Sequence, residues 1–292
     1  MNTKILVTGA TGNFGRLTID FLLNKGIAAN TISALVRDEG KASDLKQKGI
    51  NLKIGDYDNY DSLLAAFQGI DKLLLVSGTD LVNRSKQQLN VVKAVKEAGV
   101  KHILYTSFER KNETETSPIA FLAQSHIDTD NAIKTSGINY TIFRNNLYLD
   151  VLPMFLGEKV LEQGIFFPAG EGQAAYVSRN DLAEAVANVL TSTGHENKEY
   201  AMNNVEKYSM QNIADTLSEI TNSTVSYTSP SAEIFSNVLK NAAVPAEYIG
   251  MFVSFGEAIK QGEFQAESSD LEKLLGRKPT TLADFLKAVY LK

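Results

Sequence analysis

Short apolar runs alternate with longer amphipathic stretches along the first half of the chain. Helical periodicity extends from about Phe14 to Lys25 and again from about Ser85 to Ala98, and a glycine follows each stretch. Six apolar runs have the length and composition of strands, at residues 4–8, 31–36, 51–55, 72–76, 102–106 and 140–144. Strands that alternate with helices predict a Rossmann-type, doubly wound α/β fold with a parallel sheet.

The pattern is less regular after about residue 150. Helical patterns occur at 177–190 with a cap near Asn180, at 209–221 with a cap at Ser209, and at 231–243 and 246–260. Residues 224–228 have the pattern of a strand, and the tail ends in a helix capped by Thr280 or Thr281. We expect residues 1–150 to form the Rossmann domain and residues 151–292 a smaller mixed α/β part, with one or more strands returning to the main sheet.

Composition excludes several classes of protein. The 292 residues are 43% hydrophobic and 22% charged, as in a globular protein. A net charge of −5, without a Lys/Arg-rich run, argues against direct binding of nucleic acid. The absence of cysteine excludes disulfides and catalytic thiols and fits a reducing cytoplasm, where we expect the protein. The three histidines lack metal-ligand spacing, so we expect no metal site, and no apolar run predicts a membrane span or a signal peptide.

The segment GATGNFG follows the first strand and opens the first helix. Gly9 can form the tight turn, Gly12 lets the backbone approach a pyrophosphate, and Gly15 permits close packing of the helix on the sheet. The helix N-terminus adds free N–H groups and a partial positive charge. A glycine-rich turn can be purely structural, but this position between a strand and a helix predicts a dinucleotide site.

The end of the second strand indicates which dinucleotide is bound. Arg37 stands where NAD-preferring proteins have a carboxylate, and a guanidinium there can pair with a 2′-phosphate. We therefore expect NADPH, with NADH as a weaker alternative. The competing interpretation makes Arg37 an ordinary exposed arginine and Asp38 the determinant. Asp56 is placed to meet the adenine amino group or is an ordinary turn residue.

Ordinary alcohol–ketone chemistry lacks its usual residues here. Many short-chain dehydrogenases pair a tyrosine with a lysine four residues later, because the lysine lowers the pKa of the phenol. None of the eleven tyrosines has a lysine at that spacing. The chain is therefore not expected to act as an alcohol dehydrogenase or as an epimerase of nucleotide sugars.

Several longer segments resemble the NmrA-like proteins, an atypical short-chain dehydrogenase family. They are GATGNFG, LVRD, GDYDN, KLLLVSG, YTSF, LAQSHIDTDNAIKTSGINYTIFRNNLY, GIFFPAGEGQAAYVSRNDLAEA and LLGRKPTTLADFL. Within the family the likeness is to bacterial NAD(P)H:quinone oxidoreductases and triphenylmethane reductases, and it covers essentially the whole chain.

The resemblance implies two sets of cofactor-binding residues. The pyrophosphate and the 2′-phosphate would be held by Gly9, Thr11, Gly12, Asn13, Phe14, Gly15 and Arg37, with Asp56 near the adenine. The nicotinamide would be bordered by Ser77, Gly78, Thr79, Ser107, Phe143 and Asn145. The smaller part of the chain would then bind the substrate.

The resemblance also implies candidate catalytic residues. His126 occupies the position of a lysine in relatives that reduce phenylpropanoids, and it could bind the nicotinamide ribose, supply a proton or be only structural. Asn146 and Tyr148 could orient the substrate carbonyl, although an asparagine there is also a routine turn residue. Phe108, Phe143, Tyr148 and Phe155 would together form an aromatic lid, while each alone could be a core residue.

The expected reaction is hydride transfer from NADPH to a quinone or a similar flat conjugated acceptor. Such a reaction needs no tyrosine–lysine pair, because water or a modest donor can protonate the product. The alternative is a redox sensor that binds NADP(H) without catalysis and reports to a protein partner. A homodimer is compatible with the sequence.

Overall fold

The computed structural model describes residues 3–291. Within these residues the chain forms eleven strands, namely β1 Ile5–Val7, β2 Ile32–Val36, β3 Asn51–Ile54, β4 Lys72–Leu75, β5 His102–Phe108, β6 Asn139–Asn145, β7 Ile165–Phe166, β8 Gln173–Ala174, β9 Lys198–Met202, β10 Tyr208–Ser209 and β11 Tyr227–Thr228. It also forms thirteen α-helices, namely α1 Asn13–Asn24, α2 Ser43–Gln47, α3 Tyr60–Phe67, α4 Arg84–Glu97, α5 Ala120–Thr135, α6 Leu152–Leu156, α7 Val160–Gln163, α8 Arg179–Thr191, α9 Met210–Thr221, α10 Ala232–Asn241, α11 Ala246–Lys260, α12 Leu271–Leu275 and α13 Leu282–Tyr290.

Seven strands form one sheet in the order β3-β2-β1-β4-β5-β6-β9, and every pairing in it is parallel. The predicted doubly wound α/β fold is confirmed, and all six predicted strands lie in this sheet. The strand order reverses between β1 and β4, which opens a crevice at the carboxyl ends of the strands. The seventh strand, β9, comes from the second half of the chain and pairs with β6.

Side chains of the central strands point alternately into two apolar layers. Ile5 and Val7 pack in a cluster with α1 and α8, while Leu6 packs in a cluster with α3, α4 and α5. Both faces of the sheet are thus covered, which explains why its strands are continuously apolar. A third cluster lies in the second half of the chain and includes residues of α6, α9, α11 and α13. The division of the chain at residue 150 stays a prediction.

The ends of several predicted elements differ from the structure. Helix α8 begins at Arg179, and its cap is Ser178, whose side chain accepts from Asn180 N–H; the cap predicted near Asn180 is wrong by two residues. Ser209 and Thr281 cap α9 and α13 as predicted, and Ser209 is part of a full capping box. The strand expected at 224–228 is reduced to the two residues of β11, because only these pair with β7.

Gly15 is the point of closest approach between α1 and the turn that precedes it. A Cβ at this position would overlap the Gly9 carbonyl oxygen and lie 2.8 Å from Ala10 Cα. We expect Gly15→Ala to lower the free energy of unfolding by about 2–3 kcal/mol, as other overpacked sites do. Gly250→Ala is the control, since its Cβ would meet nothing within 4 Å and it lies in helix α11. Equal urea midpoints for the two variants would contradict this account of the turn.

His102 makes stability depend on pH. Burial lowers its pKa to about 4, and its Nε2 lies 2.9 Å from Thr141 Oγ1. As the pH falls, the His102 ring is protonated in the unfolded chain near the ordinary pKa of histidine, while in the folded chain it stays neutral to a lower pH. The folded state therefore loses stability as the pH falls. Between pH 7 and pH 5 we expect His102 alone to cost about 2 kcal/mol. In urea titrations, the free energy of unfolding should therefore fall more between pH 7 and pH 5 for the wild type than for His102→Gln. Equal losses in the two proteins would contradict the expectation.

Candidate functional site

The turn between β1 and α1 presents free backbone N–H groups at the carboxyl edge of the sheet. Gly9 has a φ of +57°, and its carbonyl accepts from Gly12 N–H at 2.9 Å. The N–H groups of residues 13–15 have no intrahelical acceptor, and no side chain caps the helix. Thr11, Gly12 and Asn13 are exposed. This geometry fits a pyrophosphate, because an open helix N-terminus attracts anions.

Two neighbouring side chains support the turn without facing a ligand. The ring of Phe14 is 6% exposed and packs in the core beside β1, so only its N–H is available to a phosphate. Arg16 donates from Nε to the Thr11 carbonyl at 3.1 Å and forms an ion pair with Asp44. These contacts fix the conformation of the glycine turn from the outside.

The residues that follow β2 distinguish the two interpretations of cofactor choice. Asp38 Oδ1 accepts from Gly40 N–H at 2.8 Å and caps the short 3₁₀ turn that follows. The carboxylate of Asp38 is thus engaged in its own loop. Arg37 is exposed and forms no ion pair within residues 3–291. Its guanidinium is available for a phosphate.

Tyr57 joins the ends of three strands at this edge, and sequence reasoning missed it. Its hydroxyl donates to Thr8 Oγ1 at 2.5 Å, and Thr8 Oγ1 accepts from Val76 N–H at 2.9 Å. Burial raises the pKa of Tyr57. Its neighbour Asp56 accepts from Asp58 N–H at 3.1 Å in a turn; contact of Asp56 with adenine stays a prediction. The segment GDYDN was the available signal for Tyr57, since it follows a strand that ends at this edge.

The turn between β4 and α4 lies next to the glycine turn. Ser77 and Gly78 are partly exposed, and Thr79 is exposed. Ser77 N–H donates to Thr106 Oγ1 at 2.9 Å, and Gly78 N–H donates to Gln88 Oε1 at 3.3 Å. These bonds hold the turn against β5 and α4, where it can border a nicotinamide ribose. That role stays a prediction.

His126 lies on α5 and is 4% exposed. Its Nδ1 is 2.7 Å from the Tyr105 hydroxyl, and Gln88 Nε2 donates to the same hydroxyl at 3.1 Å. Its ring also contacts Phe108, with the centroids 5.7 Å apart. Nε2 forms no hydrogen bond to any described residue and is not among the fully enclosed polar atoms. The ring is therefore held at one nitrogen and free at the other.

Cationic groups surround His126. Arg84 is 4% exposed and donates to Ser125 Oγ at 2.7 Å and to the Leu122 carbonyl at 2.8 Å, and it has no carboxylate partner within residues 3–291. Arg110 forms a buried ion pair with Asp130 at 3.0 Å. Burial, together with these two arginines, lowers the pKa of His126 well below its usual value. His126 is neutral at physiological pH.

Asn146 is committed to structure. Its Nδ2 donates to Glu109 Oε2 at 2.8 Å and to the Phe264 carbonyl at 3.1 Å, while its Oδ1 accepts from Leu147 N–H at 2.8 Å. The side chain joins β5, β6 and the segment after α11. Both amide hydrogens are used in these bonds, and contact of Asn146 with a substrate stays a prediction.

Phe143 is fully buried and stacks on Tyr200, with the ring centroids 6.2 Å apart. Its place beside the nicotinamide stays a prediction. Asn145 donates from Nδ2 to the Tyr148 hydroxyl at 3.2 Å, and Arg179 lies 5.0 Å from the Tyr148 ring centroid. Tyr148 is partly buried.

Two atoms here lack hydrogen-bond partners among the described residues. Asn145 Oδ1 and Ser107 Oγ are buried and unpaired. Such atoms are rare in folded proteins and fit a site that a ligand or water completes. Both lie at the carboxyl ends of adjacent strands, β5 and β6, close to the expected nicotinamide. Their contact with the cofactor stays a prediction.

The expected aromatic lid is only partly assembled. Phe108 contacts His126 on one side and packs edge-to-face against Phe264 on the other, at 5.8 Å. Phe155 instead stacks on Phe167 at 4.9 Å, inside the third apolar cluster. Phe108 therefore borders the candidate site, and Phe155 belongs to the core.

The sheet order, the glycine turn and the uncapped helix N-terminus together define a dinucleotide-binding Rossmann protein. The chain belongs to the NmrA-like family, whose model matches residues 1–286.

The chain is similar over its whole length to known reductases. It is 35% identical to quinone oxidoreductase 2 of Escherichia coli (strain K12), covering 98% of each chain. The solved structure of the triphenylmethane reductase of a Citrobacter species superposes with a TM-score of 0.91 at 40% identity, covering 99% of this chain and 100% of that one. An NADPH-dependent quinone oxidoreductase from Escherichia coli, solved with NADPH, superposes with a TM-score of 0.89 at 33% identity, covering 98% and 99%.

Residues 3–291 contain neither a candidate membrane span nor a candidate metal site of clustered side chains. No described helix is both long and apolar enough to cross a membrane. In the same residues, no group of three or more histidine, aspartate or glutamate side chains is placed to hold a metal ion.

Proposed function

We propose that the protein is an NADPH-dependent oxidoreductase that reduces a quinone or a similar flat conjugated acceptor. The observation that carries the proposal is the presence, at the carboxyl edge of the sheet, of an uncapped helix N-terminus and an unpaired Arg37, together with His126, whose Nε2 forms no hydrogen bond to any described residue. The full-length similarity to a quinone oxidoreductase and to a triphenylmethane reductase supports the same reaction class.

The cofactor would be held mainly by backbone groups. The N–H groups of residues 13–15 bind the pyrophosphate, and the close packing at Gly9 and Gly15 brings them to the sheet edge. Arg37 binds the 2′-phosphate, because Asp38 is already engaged by Gly40. The turn 77–79, together with the unpaired Ser107 and Asn145, borders the nicotinamide.

When bound, NADPH supplies a hydride, which carries two electrons to the acceptor. His126 has a free Nε2 beside Phe108, so it contacts an oxygen of the acceptor and stabilises the negative charge that develops there. Phe108 provides an apolar surface for a flat ring. The reduced acceptor then takes a proton from water, so no strong acid or base is required of the protein.

The proposal also includes a cytoplasmic location and a homodimer. The cysteine-free sequence supports the first. Ile234 and Val238 of α10 and Tyr248 of α11 are 56%, 45% and 49% exposed, and an apolar surface of this kind supports the second. Light scattering of the purified protein measures the oligomeric state directly.

Arg37 should determine the choice of cofactor. Arg37→Ala removes a charge-assisted bond to the 2′-phosphate, so the Kd of NADPH should rise about 10- to 100-fold. The Kd of NADH should be nearly unchanged. Lys25→Ala, at the far end of α1, removes the same charge and is the control. Fluorescence titration measures both constants; an equal loss for both cofactors would argue for a general electrostatic effect.

His126 should affect catalysis more than cofactor binding. With menadione or benzoquinone, His126→Leu should lower kcat about 100-fold, and His126→Gln, which keeps a donor near the Nε2 position, only about tenfold. The loss of NADPH absorbance measures turnover, and a triphenylmethane dye extends the panel. A wild type that binds NADPH tightly without turnover on the whole panel would contradict the proposed reaction and favour a redox sensor.

A further inference from the structure

The hydrogen bonds around Tyr105 determine which nitrogen of His126 carries the proton. They form a continuous chain from the turn after β4, through α4 and β5, to α5, and every side chain in it is buried. Gln88 and Tyr105 are both fully buried, and the donor and acceptor in each bond follow from their neighbours.

The chain begins at a backbone group whose role is fixed. Gly78 N–H can only donate, and it lies 3.3 Å from Gln88 Oε1. The Gln88 amide is thereby oriented with Nε2 pointing away from Gly78. The two hydrogens on Nε2 go to the two nearest acceptors, Thr129 Oγ1 at 2.8 Å and the Tyr105 hydroxyl at 3.1 Å, while the Ser125 carbonyl lies farther away at 3.5 Å.

A second neighbour confirms this orientation of Gln88. Thr129 Oγ1 donates its own hydrogen to the Ser125 carbonyl at 2.7 Å. It can therefore only accept from Gln88, which requires Nε2 on that side of the amide. An inverted Gln88 amide would place its Oε1 against Thr129 Oγ1, which is two acceptors, and its Nε2 against Gly78 N–H, which is two donors.

The assignment then passes to the histidine. Tyr105 accepts from Gln88, and His126 Nδ1, 2.7 Å away, is the only other group among the described residues that bonds its hydroxyl, so the single phenol hydrogen goes to Nδ1 instead of being buried without an acceptor. Nδ1 is thus an acceptor without a proton, and the proton of the neutral ring lies on Nε2. Nε2 is the nitrogen that forms no bond to any described residue.

We infer that Gln88 and Tyr105 are positioning residues that hold His126 as the Nε2–H tautomer, so that it presents a hydrogen-bond donor, and not a base, to an acceptor in the site. The inference rests on the proposed function for the identity of that acceptor. A donor suits a group that gains negative charge, such as a carbonyl oxygen of a quinone that receives a hydride. The opposite tautomer would offer a lone pair, which suits removal of a proton from an alcohol.

The test uses heteronuclear NMR on full-length protein labelled in its histidine ring nitrogens. With three histidines in the chain, the His126→Gln variant identifies the signals of His126. We expect the wild type to show Nε2 protonated and Nδ1 unprotonated at neutral pH. A protonated Nδ1 in the wild type would overturn the inference.

Two variants make the test specific. In Gln88→Glu the new carboxylate cannot donate, so the Tyr105 hydroxyl donates its hydrogen to the carboxylate. The Tyr105 oxygen can then only accept from His126, and the ring should change to the Nδ1–H tautomer. Tyr105→Phe removes the donor, and both tautomers should appear. Each variant should lower kcat with a quinone about 10- to 100-fold, up to the loss expected for complete removal of the Nε2 donor in His126→Leu, and leave the Kd of NADPH unchanged.

The control and the outcomes separate this inference from the proposed function. Tyr290→Phe removes a buried hydroxyl that forms no hydrogen bond among the described residues, and it should alter neither tautomer nor kcat. A folded Gln88→Glu or Tyr105→Phe protein that keeps only the Nε2–H tautomer would overturn the inference. A wild type with the expected tautomer but without quinone turnover would support the inference and overturn the proposed reaction.

Discussion

The candidate site depends on the contact between the backbone of Gly15 and the carbonyl of Gly9. Because no side chain separates them, α1 begins directly against the turn, and its free N–H groups reach the carboxyl edge of the sheet. The same helix packs on α8 across the face of the sheet. One close approach of backbone therefore sets both the phosphate-binding geometry and the position of the helical layer.

The other half of the site is built from buried polar groups. An unpaired buried donor or acceptor costs about 1–3 kcal/mol, so a chain of buried bonds that is fully satisfied in one arrangement strongly disfavours the others. Gln88, Tyr105 and Thr129 form such a chain, whereas Ser107 Oγ and Asn145 Oδ1 nearby remain unpaired. The contrast separates polar groups whose orientation is fixed by their neighbours from polar groups that the described residues leave unpaired.

The sequence was informative wherever a feature is local. The glycine turn, the strands of the sheet and the caps at Ser209 and Thr281 depend on neighbouring residues, and the predictions for them are confirmed. The structural partners of Asn146 could not be predicted, because Glu109 and the Phe264 carbonyl are 37 and 118 residues away.

Burial explains the remaining differences. Phe143 sits between residues expected near the nicotinamide, but strand residues alternate between faces, and its face is the core. Tyr105 and Gln88 went unnoticed because one lies within an apolar strand and the other in an amphipathic helix. The only signal in the sequence was that the periodicity of β5 and of α4 places these two polar side chains on a buried face. A buried polar side chain needs a hydrogen-bond partner, and only the fold shows which one it has.

The contribution of β9 to the main sheet has a consequence for motion. A substrate-binding part linked only by a flexible hinge could swing as a rigid body, opening and closing over the cofactor. Here β9 is hydrogen-bonded to β6 along its length, and Asn203, just beyond it, donates to Glu109 and to the Ser268 carbonyl. Hinge closure would break these bonds. Acceptors of different size must therefore be accommodated by local rearrangement of the side chains and loops around the candidate site, and not by movement of one domain against the other.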